Sequence, residues 1–321
     1  MVQLVLIGIS AGAATALLFA SVASGSPLSV LLFYLAPLPI LIAAMGWSHW
    51  AALIAAVVAS ASLAAVFGGF FFVAFLIGIG LPAWWLGYLA LLARPTANPD
   101  GLEWYPVGHL VFWAAIVSAL IVTAAVLNFG TDAETFRSSL RSGLERMFQL
   151  QERPSTGGNA PAPRRDLSRL IDFLVAALPP AAAVLTTITS VVNLWLAERV
   201  VKISGRLRRP PSDIAAMQFP VYAPVLTALA VAASFLPGLP GILGGVFGAS
   251  LLMAYAILGF AVVHVITRSL GGRPFLIGGI YVSVVVFGWP ILVMALLGLA
   301  EAAFNLRGRP ARKQNPPPSA T

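Results

Sequence analysis

The chain has 321 residues, of which 59% are hydrophobic and only 9% charged. A soluble domain carries about 25% charged residues, so a chain this poor in polar groups cannot cover a folded surface against water, and lipid must be its solvent. The net charge of +8 is clustered between apolar runs with no basic stripe through a polar domain. That pattern is membrane-flanking charge and excludes a nucleic-acid-binding surface. Cysteine is absent, which removes disulfides, thiolate metal sites and thiol nucleophiles.

Runs of about 20 apolar residues can cross a bilayer as helices. The first is 4–23. Ser21-Val22-Ala23 resembles a small-residue cleavage site, but Val2 and Gln3 follow Met1 with no positive charge, so a retained helix is expected over a cleaved signal. Gly8, Gly12, Ala16 and Ala20 repeat every four residues along it and make a face on which another helix can approach closely. The next candidate, 28–45, is weakened by Pro37 and Pro39 and suits a broken or re-entrant helix. Candidates 50–67, 70–93 and 108–129 follow. Trp84-Trp85 and the loop "EWYPVGH" at 103–109 read as aromatic belts at headgroup depth.

Residues 130–166 break the apolar pattern. Thr131 and Glu134 have capping-box spacing. Phe136, Leu140, Leu144, Met147 and Phe148 then recur at helical spacing, with Arg137, Arg141 and Arg146 on other faces, which predicts an amphipathic helix on the headgroups. "RPSTGGNAPAP" at 153–163 reads as a flexible linker. Four further candidate spans follow at 170–198, 218–236, 241–267 and 276–299, of which 218–236 is weakened by Pro220 and Pro224. The Pro-rich basic tail is expected to be disordered. Strict alternation of nine spans cannot place the linker, the basic loop 199–217 and the tail on one side. A shared cytoplasmic side for all three, with the proline-containing segments not crossing, is the expectation.

The stretch "SVVNLWLAERVVKISGRLRRPP" at 190–211 raises the question of a site. Thr186, Ser190, Asn193 and Ala197 share one helix face, which can hydrogen-bond a neighbouring helix or a ligand. Glu198 and Lys202 have the spacing of an ion pair. Arg199, Lys202, Arg206 and Arg209 form a basic face suited to an anionic membrane surface. Ionisable groups inside apolar runs are functional candidates by default. Here they are few, and His264 is the one retained as a ligand contact. His109, Glu103 and Asp172 fall at span ends, which argues against a proton carrier with a buried carboxylate relay. His49, His109 and His264 lack metal spacing, and no HExxH, phosphate-binding loop or GxSxG is present. No catalytic residue, metal or cofactor is therefore expected.

The stretches "VVNLWLAERVVKISGRL", "ILGFAVVHVITRSLGGRP" and "LLGLAEAAFNLRGR", in that order, resemble the YybS-like family of predicted bacterial membrane proteins. Asn193, Arg199, Gly259, His264, Gly298, Phe304 and Arg307 match the family's pattern, and Glu301 stands where an Asp is expected. The resemblance implies a fold relationship with the substrate-binding components of energy-coupling-factor vitamin transporters and with the cell-shape protein MreD. In the transporter components an early small-residue face docks on the coupling subunit, and Gly8, Gly12, Ala16 and Ala20 look like such a face. The long linker and the additional spans depart from the compact six-helix form of those components.

The expectation is an all-α, polytopic integral membrane protein with about 7–9 transmembrane helices plus an amphipathic surface helix. Its parts are an N-terminal transmembrane half (1–129), an amphipathic helix and linker (130–166), a C-terminal transmembrane half (167–300) and a basic tail (301–321). The expected role is a non-catalytic, solute-binding transport subunit of a bacterial inner membrane, with Thr186, Ser190, Asn193 and His264 at the ligand. The alternative is an MreD-like envelope scaffold that recruits lipid or cytoplasmic partners. The expected partners are the bilayer and a membrane coupling subunit or envelope protein.

Overall fold

The computed structural model describes residues 1–96, 101–151 and 164–307; the linker at 153–163 and the tail beyond Arg307 lie outside them. The protein is all-α and polytopic. Among the described residues, seven segments are long and apolar enough to cross a membrane: Val2–Ser24, Pro27–Gly46, His49–Phe67, Phe70–Ala90, Val107–Phe129, Leu167–Ile203 and Leu239–Ile266.

Prolines and glycines decide where these segments bend. The first helix, α1 (Val2–Ala20), is continuous. The second segment is broken into α2 (Pro27–Tyr34) and α3 (Leu38–Gly46) around Pro37. After α4 (His49–Phe67), the fourth segment runs from α5 (Phe70–Phe75) through a π-helical stretch, Leu76–Gly80, into α6 (Leu81–Ala90). Residues 103–109 are not simply an aromatic loop. Strand β1 (Ala93–Pro95) pairs antiparallel with β2 (Leu102–Trp104), and Arg94 bridges Glu103 across them at 2.8 Å. Tyr105 accepts a hydrogen bond from the indole of Trp113 at 3.0 Å.

Two expected spans are corrected. Segment 218–236 holds only an eleven-residue helix, α10 (Ala223–Ala233), because Pro224 sits in its first turn and a turn from Pro220 precedes it. Segment 276–299 is two helices, α12 (Arg273–Phe287) and α13 (Pro290–Phe304). Gly288 at φ 70° ends the first and Pro290 starts the second. At 1.5 Å per residue each is about 22 Å long, short of a hydrocarbon core of about 30 Å.

Helix α7 (Val107–Phe129) ends at Gly130, where an added Cβ would meet the backbone of Thr135 and Phe136, so only glycine allows the chain to fold back this tightly. The cap of α8 (Ala133–Gln151) is Asp132, not Thr131. Its carboxylate accepts from the Glu134 and Thr135 amides at 3.0 and 2.8 Å and from the Thr135 hydroxyl at 2.6 Å. Helix α9 (Arg164–Ile203) has 40 residues, about 60 Å of helix and so about twice the hydrocarbon core. Phe136 packs with Ala183, while Arg141 reaches Asp172 at 2.5 Å and Ser168 at 3.0 Å. The amphipathic helix therefore runs antiparallel along the first turns of α9.

Helix α11 (Leu239–Ile266) is the other long element. One core joins α3, α4, α6, the start of α7 and α9; another joins α7, α11 and α13. Helices α11 and α13 touch backbone to backbone. A Cβ on Gly259 would overlap the Met294 carbonyl, and one on Gly298 would overlap the Tyr255 carbonyl.

The two ends of the bundle differ from expectation. Arg209 of the basic loop bonds the carbonyls of Ala90 and Tyr105, which places that loop beside the start of α7. Arg307, the last described residue, bonds the Met217 carbonyl of the same loop at 2.6 Å. Helix α8 starts from the other end of α7. Loop 199–217 and the start of the tail thus share one end, and the helix leading into the linker lies at the opposite one.

Candidate functional site

The site begins with a backbone fault. Pro37 and Pro39 have no N–H to give to the preceding turn. Ala36 N–H bonds Phe33 O and Leu38 N–H bonds Leu35 O, so Tyr34 O receives nothing from its own helix. A bare carbonyl inside a membrane protein must be satisfied by another part of the chain. Asn193 of α9 does this: its Nδ2 donates to Tyr34 O at 2.9 Å and to Thr189 O at 2.8 Å. Asn193 is buried, and its Oδ1 has no partner among the described residues.

The other irregular helix faces the same place. The π-helical stretch Leu76–Gly80 widens the turn between α5 and α6, a distortion that recurs at functional sites. Between it, the α2–α3 break and α9 lies a cavity of about 320 Å³. Phe19, Phe33, Phe71 and Phe75 form an aromatic wall, and Phe19 meets Phe33 and Phe75 with ring centroids 5.1 Å apart in both cases. The polar wall is Thr186, Thr189 and Ser190 of α9. Thr186 donates to Ala182 O at 2.8 Å. The hydroxyls of Thr189 and Ser190 have no hydrogen-bond partner among the described residues and remain able to donate and accept. An apolar chamber with a few convergent polar groups is the usual form of a small-molecule site.

Of the expected ligand residues, Thr186 and Ser190 line this cavity, while Asn193 stands one turn further along α9 with its amide committed to backbone. His264 is elsewhere. It lies near the end of α11, its Nδ1 2.9 Å from Phe260 O and its ring edge-on to Tyr281 at 6.1 Å.

The small-residue face of α1 is occupied within the chain. Gly8 sits against Ala51 O and Ile54, Gly12 against Ala55 O and Val58, and Ala16 packs with Ala59 and Leu63. Ala20 is partly buried in that last cluster. Helix α4 therefore holds the face expected to meet a coupling subunit.

The basic face is also corrected. Arg199, Lys202 and Arg206 are exposed, with Arg199 over Trp195 at 5.5 Å and Arg206 over Trp47 at 4.7 Å. Arg209 is not a surface residue. It is 7% exposed and its guanidinium reaches Ala90 O and Tyr105 O at 3.3 and 3.4 Å. Burial pushes its pKa down, and the Glu198 carboxylate opposes that shift. Glu198 does not pair with Lys202; both its oxygens go to Ser212, accepting from the amide at 2.7 Å and from the hydroxyl. The reason is the fold-back of loop 204–213, which brings better donors to Glu198 than an exposed lysine one turn away.

Two polar clusters escaped the reading of single helices. Glu301 and Arg307 form a buried pair at 2.8 Å, 5% and 9% exposed. Glu301 is an acid near the end of an apolar helix, with an arginine six residues later, and that spacing was the available signal. Ser250 of α11 lies 2.6 Å from the Thr187 hydroxyl and donates to Ala115 O at 2.7 Å, joining α9, α11 and α7. Nothing local in the sequence marks that triple contact. No group of three or more His, Cys, Asp or Glu side chains suited to a metal ion occurs among the described residues.

Comparison with known proteins sets this architecture in a family. The model of the family described as "Predicted membrane protein (DUF2232)" matches residues 13–301. The chain belongs to that family. The match spans both transmembrane halves and is consistent with the YybS-like resemblance. No curated protein and no solved structure matches the chain.

Proposed function

We propose that the protein is a non-catalytic subunit of a bacterial inner membrane that binds a small, mainly apolar solute in the cavity between α2–α3, α5–α6 and α9. The observation that carries this reading is the convergence of two irregular helices on one chamber. A break at Pro37 and a π-helical stretch at Leu76–Gly80 both border the cavity that Thr189 and Ser190 face with unpaired hydroxyls. Irregular backbone inside a bilayer has a cost, and it persists where it lines a cavity or is covered by protein. Four phenylalanines select an apolar body, and the hydroxyls select one polar group on it. A partner that receives the solute would dock elsewhere than on the Gly8–Gly12 face of α1, since α4 already fills it.

The scaffold reading draws on a different observation. Helix α8 packs antiparallel against the start of α9 with exposed charge along it, a shape suited to holding an envelope partner.

Thermal melting of the detergent-purified protein against vitamins, nucleosides and apolar metabolites separates the two. A ligand that binds only the folded state raises the melting temperature. Gly78 lines the cavity, and a Cβ there meets nothing within 4 Å. A shift abolished by Gly78→Leu and by Ser190→Leu supports the binding subunit. No shift across the panel, or one that survives both fillings, rejects it.

A further inference from the structure

A second cavity, of about 870 Å³, lies between α8, α9 and the turn from α10 into α11. We infer that it holds the headgroup of a phospholipid carrying a primary ammonium, of the phosphoethanolamine type. This does not depend on the apolar chamber described above.

Depth is the first argument. Helix α7 ends at Phe129, and α8 starts at Ala133, which lines the cavity. The cavity therefore opens where a membrane span ends, at the level of lipid headgroups.

Charge is the second. One wall carries Glu134, Arg137 and Arg141 of α8 with Asp172 of α9. Arg141 is already committed, to Glu145 at 3.0 Å, Asp172 at 2.5 Å and Ser168 at 3.0 Å, and these acids raise its pKa further. Glu134 and Arg137 are different. They lie three residues apart, both are exposed, and neither side chain has a partner among the described residues. A carboxylate only accepts hydrogen bonds and a guanidinium only donates them. The matching ligand offers acceptors to Arg137 and donors to Glu134, which is a phosphate next to an ammonium. A choline headgroup has no N–H to give Glu134. A glycerol headgroup brings a phosphate without a cation.

The rest of the lining is the third. It is mostly apolar, with Val175 and Pro179 beside Asp172 on one face of α9, Ile242 of α11, and Leu236, which is half exposed. Gly245 also lines the cavity, and a Cβ added there meets nothing within 4 Å, so the cleft is open at that point. Charged groups and apolar surface lining one cleft fit an amphiphile.

Native mass spectrometry of the full chain in detergent tests this, with phosphatidylethanolamine, phosphatidylcholine and phosphatidylglycerol of matched acyl chains. Phosphatidylethanolamine should bind about tenfold more tightly than the other two, as one charge-assisted contact requires. Glu134→Gln should erase the preference over phosphatidylcholine, Arg137→Gln should weaken all three lipids, and Gly245→Leu should block binding by filling the cleft. Melting temperatures of the variants confirm that they fold. Equal retention of the three lipids by the wild type, or variants that bind as it does, would overturn the proposal. So would free O-phosphoethanolamine competing at the same concentration as the lipid, since the apolar lining would then contribute nothing.

Discussion

The side-chain amide of Asn193 donates to the backbone carbonyl of Tyr34, 2.9 Å away and 159 residues earlier in the chain. A helix broken by proline in one half of the protein is thus closed by a polar residue from the other half. The contact also borders the apolar cavity, since Tyr34 and Thr189, the two residues whose carbonyls Asn193 holds, both line it.

Asn193→Leu should lower stability by about 1–3 kcal/mol, because a buried carbonyl is left without a donor. The measurement is melting in detergent, with Thr186→Val as a comparison at a hydroxyl bonded only within its own helix. If Asn193→Leu melts no lower than Thr186→Val, Asn193 does not hold the break.

The Glu301–Arg307 pair is buried on both sides, and Arg307 also ties the Met217 carbonyl. Removing one partner strands a charge. Glu301→Ala should destabilise by about 3–5 kcal/mol. Glu301→Ala combined with Arg307→Met should recover most of the loss. A double-mutant cycle on melting free energies checks this, and additive losses would contradict it.

Helices α11 and α13 meet at glycine. Gly259→Ala and Gly298→Ala each place a methyl group on a backbone carbonyl of the facing helix. Each should cost about 1–3 kcal/mol by overpacking. Gly279→Ala in α12, where a Cβ meets nothing within 4 Å, should be near neutral. Limited proteolysis of the segment after Ile266 should rise in the first two variants alone.

Asp132 supplies a pH-dependent cap. Hydrogen bonds from the Thr135 hydroxyl and amide hold its carboxylate below the ordinary range. A pKa that is lowered in the folded state stabilises above the unfolded value and loses that stabilisation as pH falls through the folded one. Amide exchange at Glu134 and Thr135 should therefore be slow at neutral pH and accelerate only when the pH drops below the usual carboxylate range. Asp132→Asn keeps a capping oxygen and should lose the acid-side change. A pH profile identical to the wild type in Asp132→Asn would assign the change to another group.

The membrane class and the course of most helices were legible because they depend on local quantities. An apolar run of sufficient length becomes a helix in lipid wherever it sits. The prolines at 37 and 39 announced the broken segment, and 3.6-residue spacing put Thr186 and Ser190 on one face. The split at Gly288 was less visible, because an apolar run conceals a single glycine that turns to positive φ. Local sequence points Arg209 to the surface, because a charged residue in a basic loop is usually exposed. Its burial depends on the carbonyls of Ala90 and Tyr105, more than a hundred residues away. The same holds for the aromatic wall, where Phe19, Phe33 and Phe75 come from three separate segments. Apolar length sets which segments enter the membrane. Which polar groups are satisfied, and which are left facing a cavity, is set by neighbours from distant parts of the chain, and only the packed structure supplies those.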